Sequence, residues 1–360
     1  MALYPTAETD RRVAAQTLES VVRRIFQACG MDEEDAALLA ASLVHSDRRG
    51  IHSHGVIRVP EYVRKLTVGG VDPKGKPRLV SQASAALVVD GGNSMGQIGG
   101  YFAMRKAIEA ARVHSVALAA LGGSNHCGAL DWYSLQAAEA GMIGICGTNA
   151  LPTMAPVGGI DKIVGINPVS VAMPGDRSGG FVFDFAFGAT AHGKIRVYAQ
   201  KGSPIPEGWA FDSRGNPTID PRKAMDGLIQ PIGSHKGIAL GMAVGLMSSL
   251  LSGSAYGTEL GNMTDGAKAG MDGQFFMAID IAAFTPLETF RHRLDSVIDE
   301  MRNSRRREGV DRIFVPGDIE RDIERYYAEN GILLSAETVN DVAATAGALN
   351  VDASPLLETS

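Results

Sequence analysis

Apolar residues recur with a helical period at both ends of the chain and in short strand-like runs through its middle. Three- and four-residue steps predict a helix over residues 18–29. Asp32 and the acidic residues behind it predict the start of a second helix, which runs towards His45. A third helix is predicted over residues 61–66, with Pro60 in its first turn. The N-terminal part is therefore expected to be helical.

From about residue 75 the pattern changes to β-rich runs separated by helical segments and glycine-rich turns. The runs lie at residues 86–89, 116–119, 142–146 and 181–183, and the helical segments include residues 101–113 and 132–140. Such alternation predicts an α/β fold with a central mixed sheet and flanking helices. The uncharged stretch 237–258 is weakly hydrophobic because glycine and serine interrupt it, so we expect a buried helix rather than a membrane span.

Charged, helix-compatible stretches return at residues 287–307 and 319–329. We therefore predict three segments: residues 1–75 as the N-terminal part of a helical domain, residues 76–284 as an α/β domain, and residues 285–360 as the C-terminal helical part. The two helical parts are expected to pack together as one discontinuous domain.

Composition narrows the possible functions. The chain has 360 residues, with 45% hydrophobic and 21% charged residues, as in globular proteins. Its net charge of −6 and dispersed basic residues argue against nucleic acid and favour a small-molecule partner. Three cysteines without a CxxC pair, and ten N-terminal residues without basic and apolar signal regions, predict a cytoplasmic protein.

The densest chemistry lies in residues 45–58, which hold three histidines and three arginines. Histidine exchanges a proton near neutral pH, and arginine holds a carboxylate through paired hydrogen bonds. This mixture indicates acid–base chemistry on a small anionic acid. A zinc site of His52 and His54 with His45 or Asp47 is the alternative, although the arginines disfavour a cation. An ordinary surface loop is the third interpretation.

Other polar groups follow predicted strands, where α/β proteins collect ligands. The glycines of residues 91–100 do not match the dinucleotide fingerprint GxGxxG, so a cofactor would bind in another way. Asn125-His126 and Thr148-Asn149 each follow a strand. Asp184 could accept a ribose hydroxyl or cap a helix. Lys236 before an uncharged helix suits a phosphate, or is a solvated lysine at the end of a loop.

Several longer segments carry a resemblance to a known family. They are residues 47–58, 124–128, 165–168, 183–186, 191–194, 235–237, 273–280 and 315–317. Together they resemble the malate/L-lactate dehydrogenase family that lacks a Rossmann fold, whose relatives include ureidoglycolate, sulfolactate and diketogulonate oxidoreductases and a piperideine/pyrroline-2-carboxylate reductase. The resemblance implies a homodimer with a non-Rossmann cofactor domain, and hydride transfer between a nicotinamide and a 2-hydroxy or 2-oxo acid.

The resemblance also implies roles for individual residues. His54 would be the general acid, with Ser53 beside it, Arg58 would grip the substrate carboxylate, and His126 would be a second proton carrier at the nicotinamide. His192 and Gly193 would join Arg58 at the substrate. The implied cofactor contacts are His126, Cys127, Gly128, Ala129, Leu130, Asp184, Phe185, Ala186, His235, Lys236, Pro316, Gly317 and Asp318. No metal is implied.

Three positions depart from the family's pattern. Ile166 stands where a threonine is common, Lys194 stands where the cyclic-imine reductase has aspartate, and Cys127 replaces a phenylalanine. These changes concern substrate identity. Asp184 favours NAD over NADP, since it could bond a free ribose hydroxyl and no arginine lies nearby in sequence. We expect an NAD(P)-dependent malate or lactate dehydrogenase; a cyclic-imine reductase, a zinc hydrolase and a non-catalytic cofactor-binding protein are the alternatives.

Overall fold

The structure, a computed structural model, describes residues 9–357. The N-terminal stretch interpreted above as lacking a secretory signal lies, except for Thr9 and Asp10, outside the described residues.

The helices are α1 Ala15–Ala28, α2 Glu33–Arg48, α3 Val59–Thr67, α4 Gly96–His114, α5 Asp131–Glu139, α6 His192–Lys201, α7 Pro221–Asp226, α8 His235–Leu250, α9 Leu287–Arg302, α10 Asp318–Asn330, α11 Ala336–Ala348 and α12 Ser354–Leu357. The strands are β1 Arg11–Val13, β2 Arg78–Ala83, β3 Ala86–Asp90, β4 Val116–Ser124, β5 Met142–Thr148, β6 Pro152–Met154, β7 Val164–Gly165, β8 Val169–Met173, β9 Phe181–Phe185, β10 Ala210–Phe211, β11 Pro217–Thr218, β12 Leu228–Ile229, β13 Asp272–Asp280 and β14 Ile332–Leu334.

A seven-stranded sheet with the order β2-β3-β4-β13-β5-β8-β9 forms the centre of the molecule. Only β3 and β4 pair in parallel among its six neighbouring pairs, so the predicted mixed sheet is confirmed. Phe276 of β13 packs on the α4–α5 side, against Tyr133, whereas Phe275 lies on the α8 side. Helices thus cover both faces of the central strand.

Helices from both chain ends share one hydrophobic core. Phe26 of α1, Leu43 of α2 and Tyr62 of α3 are fully buried in the same cluster as Ile332 and Val342. Strand β1 also pairs with β14 in antiparallel register, which ties the two ends together. The helical layer is therefore discontinuous in sequence, and the boundaries at residues 75 and 284 stay predictions.

A smaller cluster within residues 154–238 was not predicted from the sequence. It packs α6 and α7 around the three-stranded sheet β11-β10-β12. Its strands are two residues long, too short to show a period-2 pattern.

The expectation of a buried helix within residues 237–258 is wrong in part. Helix α8 buries its glycines and serines, and a Cβ on Gly245 would lie 2.3 Å from the amide of Asn167. The small residues face inward because the helix backbone lies so close to its neighbours. Ile238 is also buried, but most of its other large side chains face outward, with Leu240 57% and Leu250 67% exposed. Within residues 9–357, no helix combines the length and apolarity needed to cross a membrane.

Candidate active site

A cavity of about 310 Å³ lies where three strand ends of the central sheet meet. Ser124, at the end of β4, pairs with Asp272 at the start of β13, and Thr148, at the end of β5, pairs with Gln274. The loops after β4 and β5 therefore flank the start of β13. Helix α3 and the turn before it supply the opposite wall through His54, Arg58 and Lys65. The two polar strand ends expected from the sequence do line one cavity.

The turn that carries His54 is organised by one buried carboxylate. Asp47, in the last turn of α2, accepts hydrogen bonds from the backbone N–H of Val56 at 2.8 Å and from Nδ1 of His52 at 2.7 Å. Burial raises the pKa of Asp47, and the contact with His52 opposes this. A Cβ on Gly55 would lie 2.2 Å from the carboxylate, so only glycine fits here. The sequence His-Ser-His-Gly thus wraps closely around Asp47.

His54 is half-buried and faces the cavity. Its Nδ1 lies 2.9 Å from the hydroxyl of Ser53, an exposed side chain. Burial, and then the positive charge of Arg58, lowers the pKa of His54 to about 4. The imidazole is therefore neutral at pH 7 in the absence of substrate, which is the state of a general base.

Arg58 also faces the cavity, with part of its guanidinium already engaged. Its Nε donates to the backbone oxygen of Ser53, and one terminal nitrogen donates to Glu61, both at 2.7 Å. These contacts aim the guanidinium and leave the other terminal nitrogen for a ligand.

The loop that carries His126 is held from several sides. Asn125 is buried, donates to Asn93 and to the backbone of Ser94 at 3.0 Å, and accepts from the N–H of Gly270 at 2.7 Å. His126 itself meets the hydroxyl of Tyr62 at 2.7 Å through Nδ1. Burial lowers the pKa of His126 well below its ordinary value, and the charges of His54 and Arg58 act in the same direction.

The two imidazoles stack. The rings of His54 and His126 lie 5.7 Å apart between centroids and are inclined by only 13°. Two positively charged rings at this distance would repel each other, so at most one of them is protonated at a time. The site therefore offers one proton-exchanging group and one neutral polar group.

Lys65 and Asp272 line the cavity and were not predicted as site residues. Lys65 is buried and donates to the backbone oxygen of Lys268 at 2.6 Å. Burial raises the pKa of Asp272 to about 7, although Lys65 opposes this. The sequence signal was weak, since Lys65 looks like a solvated helix residue and Asp272 lies in a loop-like stretch. The place of Asp272 beside two strand ends depends on the pairing of β13 with β4 and β5.

The cavity brings together seven of the predicted residues: His54, Arg58, His126, Cys127, Gly128, His192 and Gly193. Ser53 contacts His54 from outside the lining. The remaining predicted cofactor residues lie beyond this lining within the described chain: Ala129, Leu130, Asp184, Phe185, Ala186, His235, Lys236, Pro316, Gly317 and Asp318.

Asp184 and Asp318 are already engaged in the protein. One oxygen of Asp184 accepts from the N–H groups of Leu130 and Asp131 at 2.6 and 3.0 Å, which caps α5 from a neighbouring strand. Asp318 is buried, and its carboxylate accepts from Arg321 at 2.7 Å and from Arg302. Asp184 uses only one oxygen in this cap, whereas Asp318 holds its own turn together.

The three departures from the family pattern fall in different places. Ile166 and Cys127 line the cavity. The ammonium group of Lys194 lies 5.5 Å from the ring centre of Trp209, a cation–π contact. Ile166 therefore replaces a potential donor with an apolar surface inside the site.

The three histidines considered for zinc face different partners. His45 lies 3.6 Å from Asp131, His52 contacts Asp47, and His54 contacts Ser53. Across residues 9–357, no group of three or more potential ligands is arranged to hold a metal ion.

The fold is α/β, and its cavity places the His54 imidazole beside the cationic side chains of Arg58 and Lys65. The family model described as malate/L-lactate dehydrogenase matches residues 13–343. A malate dehydrogenase from Pyrococcus abyssi is 38% identical over 315 residues, which are 85% of this chain and 86% of that protein. The NAD(+) ureidoglycolate dehydrogenase from Escherichia coli K12 is 31% identical over 92% of this chain and 93% of its own.

The structural comparison agrees with the sequence comparison. The sulfolactate dehydrogenase from Methanocaldococcus jannaschii superimposes with a TM-score of 0.91 at 33% identity, covering 96% of this chain and all (100%) of the other. The chain belongs to the malate/L-lactate dehydrogenase family and is an oxidoreductase.

Proposed function

We propose that the protein transfers hydride between NAD and a small 2-hydroxy acid, with malate preferred over lactate. The observation that carries the proposal is the cavity that holds a neutral His54 within reach of Arg58 and Lys65. An acid–base imidazole next to carboxylate-binding cations suits a hydroxyl group adjacent to a carboxylate.

His54 exchanges the proton in this scheme. In the oxidation direction the neutral imidazole takes the proton of the substrate hydroxyl, and in reduction the protonated ring returns it to the oxo oxygen. A substrate carboxylate on Arg58 offsets the positive charge that depresses the pKa of His54. Binding of the anion therefore raises the proton affinity of the ring at the moment when it must accept a proton.

A second cation distinguishes malate from lactate. Arg58 and Lys65 are seven positions apart and both face the cavity from the same helix and its N-terminal turn. Seven residues correspond to about 10 Å along a helix, enough to place a four-carbon dicarboxylate between the two side chains. Lactate offers only one carboxylate and would leave Lys65 without a substrate carboxylate to bind.

The residues fit a dinucleotide cofactor on three observations. Lys236 is exposed in the first turn of the 16-residue α8, where the helix dipole favours the binding of an anion. Phe185 presents a ring that is 41% exposed, and Asp184 retains one carboxylate oxygen. Backbone hydrogen bonds from Phe187 to Ile166 and from Ile232 to Phe187 connect this region with the cavity.

When bound, the nicotinamide would supply the hydride acceptor. His126 to Leu130, Asp184 to Ala186, His235-Lys236 and the turn at residues 316–318 would hold the dinucleotide. Asp184 supports NAD over NADP, as the sequence suggested, because its remaining oxygen suits a hydroxyl group better than a phosphate.

The exposed face of α8 supports the homodimer. Leu240, Met247 and Leu250 form one uncharged stripe along the helix, which Leu251 extends directly after its end. We expect a dimer by sedimentation velocity, and Leu250→Glu should shift it towards the monomer because a charge would be buried at the interface. A monomeric wild type would contradict this assignment.

The three cysteines, all thiols in the structure, support a cytoplasmic location.

The decisive test follows NADH and NADPH oxidation with oxaloacetate, pyruvate and cyclic imino acids. Oxaloacetate with NADH should react best. Lys65→Met should lower kcat/KM for oxaloacetate by about 10- to 100-fold, the worth of one charge-assisted hydrogen bond, and spare pyruvate. Pyruvate is the internal control, and thermal unfolding checks that the variant folds. Equal losses for both substrates would contradict the role of Lys65, and faster turnover of an imine would contradict the substrate class.

A further inference from the structure

A buried hydrogen-bond chain reaches His126 from the side away from the cavity. Tyr62 is fully buried on α3, and Gln97 is buried on α4. The amide of Gln97 donates to the hydroxyl oxygen of Tyr62 at 3.0 Å, and that hydroxyl meets Nδ1 of His126 at 2.7 Å. Neither Tyr62 nor Gln97 belongs to the residues implied by the family resemblance.

The direction of the chain follows from counting protons. Tyr62 carries one O–H proton, and since its oxygen accepts from Gln97, that proton is directed to His126. Burial raises the pKa of Tyr62 well above its ordinary value, so the phenol keeps its proton. Nδ1 of His126 is then an acceptor.

The backbone of Gly128 provides an independent check. Its N–H points at the same Nδ1 of His126, at 3.4 Å. If the amide of Gln97 were turned around, Tyr62 could donate to Gln97 and Nδ1 could carry a proton. A backbone N–H can only donate, however, so a proton on Nδ1 would face the Gly128 proton. The Gly128 N–H therefore makes Nδ1 of His126 an acceptor whichever way the Gln97 amide lies, and the Tyr62 hydroxyl is then its second donor.

We infer that Tyr62 and Gln97 hold His126 as the neutral Nε2–H tautomer, a fixed hydrogen-bond donor to the reacting oxygen of the substrate, so that His54 alone exchanges protons. Nε2 makes no hydrogen bond with the described residues, and the ring lines the cavity. Tyr62 and Gln97 are positioning residues, because they reach the substrate only through the imidazole. The role of the donor, but not the tautomer, rests on the proposed function.

A preformed donor has a clear advantage over a second proton carrier. The oxo oxygen gains negative charge during reduction, and a neutral N–H already aimed at it needs no rearrangement. A protonated His126 would also repel the protonated His54 that must form 5.7 Å away. The buried hydrogen bonds keep His126 neutral and so prevent this repulsion.

The test uses the full-length protein with ¹⁵N-labelled histidine. In the wild type, NMR should show His126 with its proton on Nε2 alone across the neutral pH range. Tyr62→Phe should give a mixture of both tautomers. It should also lower kcat by about 10- to 100-fold with little change in KM, as when an outer partner that orients a functional imidazole is removed.

Two further variants keep the test sharp. Tyr133→Phe also removes a buried hydroxyl, one that donates to the backbone of Cys127 and contacts no imidazole, so the His126 spectrum should not change. Gln97→Met removes the hydrogen bond to the Tyr62 hydroxyl and should change the His126 spectrum and kcat in the same direction as Tyr62→Phe, but less. This variant replaces Tyr62→Phe if the latter does not fold.

The outcomes separate this inference from the proposed function. A proton on Nδ1 in the wild type overturns the inference whatever the activity. An unchanged spectrum and kcat in a folded Tyr62→Phe also overturn it. A proton on Nε2 in a wild type that turns over no oxo acid supports the tautomer and overturns the proposed function.

Discussion

The turn at residues 52–58 and the loop at residues 125–128 each present a neutral imidazole to the same cavity, but they are built differently. The turn rests on one buried carboxylate, Asp47, and the partner of His54 is the exposed hydroxyl of Ser53. The loop is fixed by buried side chains on several sides, and the partner of His126 is a buried phenol.

The outer partners determine which ring can change its protonation state. A serine hydroxyl rotates and can donate or accept, so it tolerates either form of His54. In the inferred arrangement the Tyr62 hydroxyl and the Gly128 N–H both donate to Nδ1 of His126, so they tolerate only one form of that ring. Rings of the same chemical type thus acquire separate roles from their outer partners.

Removing His54 is the strongest test of the separate roles of the two imidazoles. His54→Gln keeps a polar side chain of similar size but cannot exchange a proton, so kcat should fall by about a thousandfold. His114→Gln, at an exposed position at the end of α4, is the matched control and should keep wild-type kcat. Cofactor affinity, measured by fluorescence titration, should stay within about twofold. A kcat of His54→Gln within tenfold of the wild-type value would show that another residue exchanges the proton.

Replacing Gly55 tests whether one carboxylate supports the turn. In Gly55→Ala the new methyl group would meet Asp47, so the turn must shift and the protein should lose about 1–3 kcal/mol of unfolding free energy. The unfolding free energy, measured by denaturant titration, and kcat should fall together, because the shift of the turn moves His54. Gly347→Ala in α11 meets nothing within 4 Å and is the control, with stability unchanged or slightly higher. Wild-type stability of Gly55→Ala would show that the turn has other supports.

The pH dependence should report His54 and not His126. Folding depresses the pKa of His54 to about 4, so the neutral form is favoured. Oxidation needs that form, and its kcat/KM should be flat above about pH 5 and fall about tenfold per unit below pH 4. Reduction needs the protonated form, so its kcat/KM should fall as the pH rises above about 4. Removing the charge in Arg58→Gln should move both profiles to higher pH. Stopped-flow rates at varied pH measure the shift.

Much of the fold could be predicted from the sequence because burial on one side imposes a period. Helices α1 and α2 each have one buried face, and the predicted segments match them within a few residues. Strand β13 was missed as a strand because both of its faces are covered, which removes the alternation. The outward apolar face of α8 was misread for a related reason: composition does not tell which side of a helix faces the core.

The candidate site was predictable only in part. His54, Arg58 and His126 stand out because their side chains carry recognisable chemistry. Tyr62 looks like one more apolar position on the stripe of α3, and its contact with His126 spans 64 residues of sequence. Gln97 is equally unremarkable in a helix. Both depend on tertiary contacts that no local pattern encodes.

The position of β13 has a consequence for biosynthesis. The central strand of the seven-stranded sheet is the last of its strands to be made, 124 residues after β5. Until the ribosome has released β13, β4 and β5 each present an unpaired edge to solvent, and the wall of the cavity between them does not exist. The nascent chain must therefore avoid aggregation through most of translation, so its yield should depend on chaperones more than its final stability suggests.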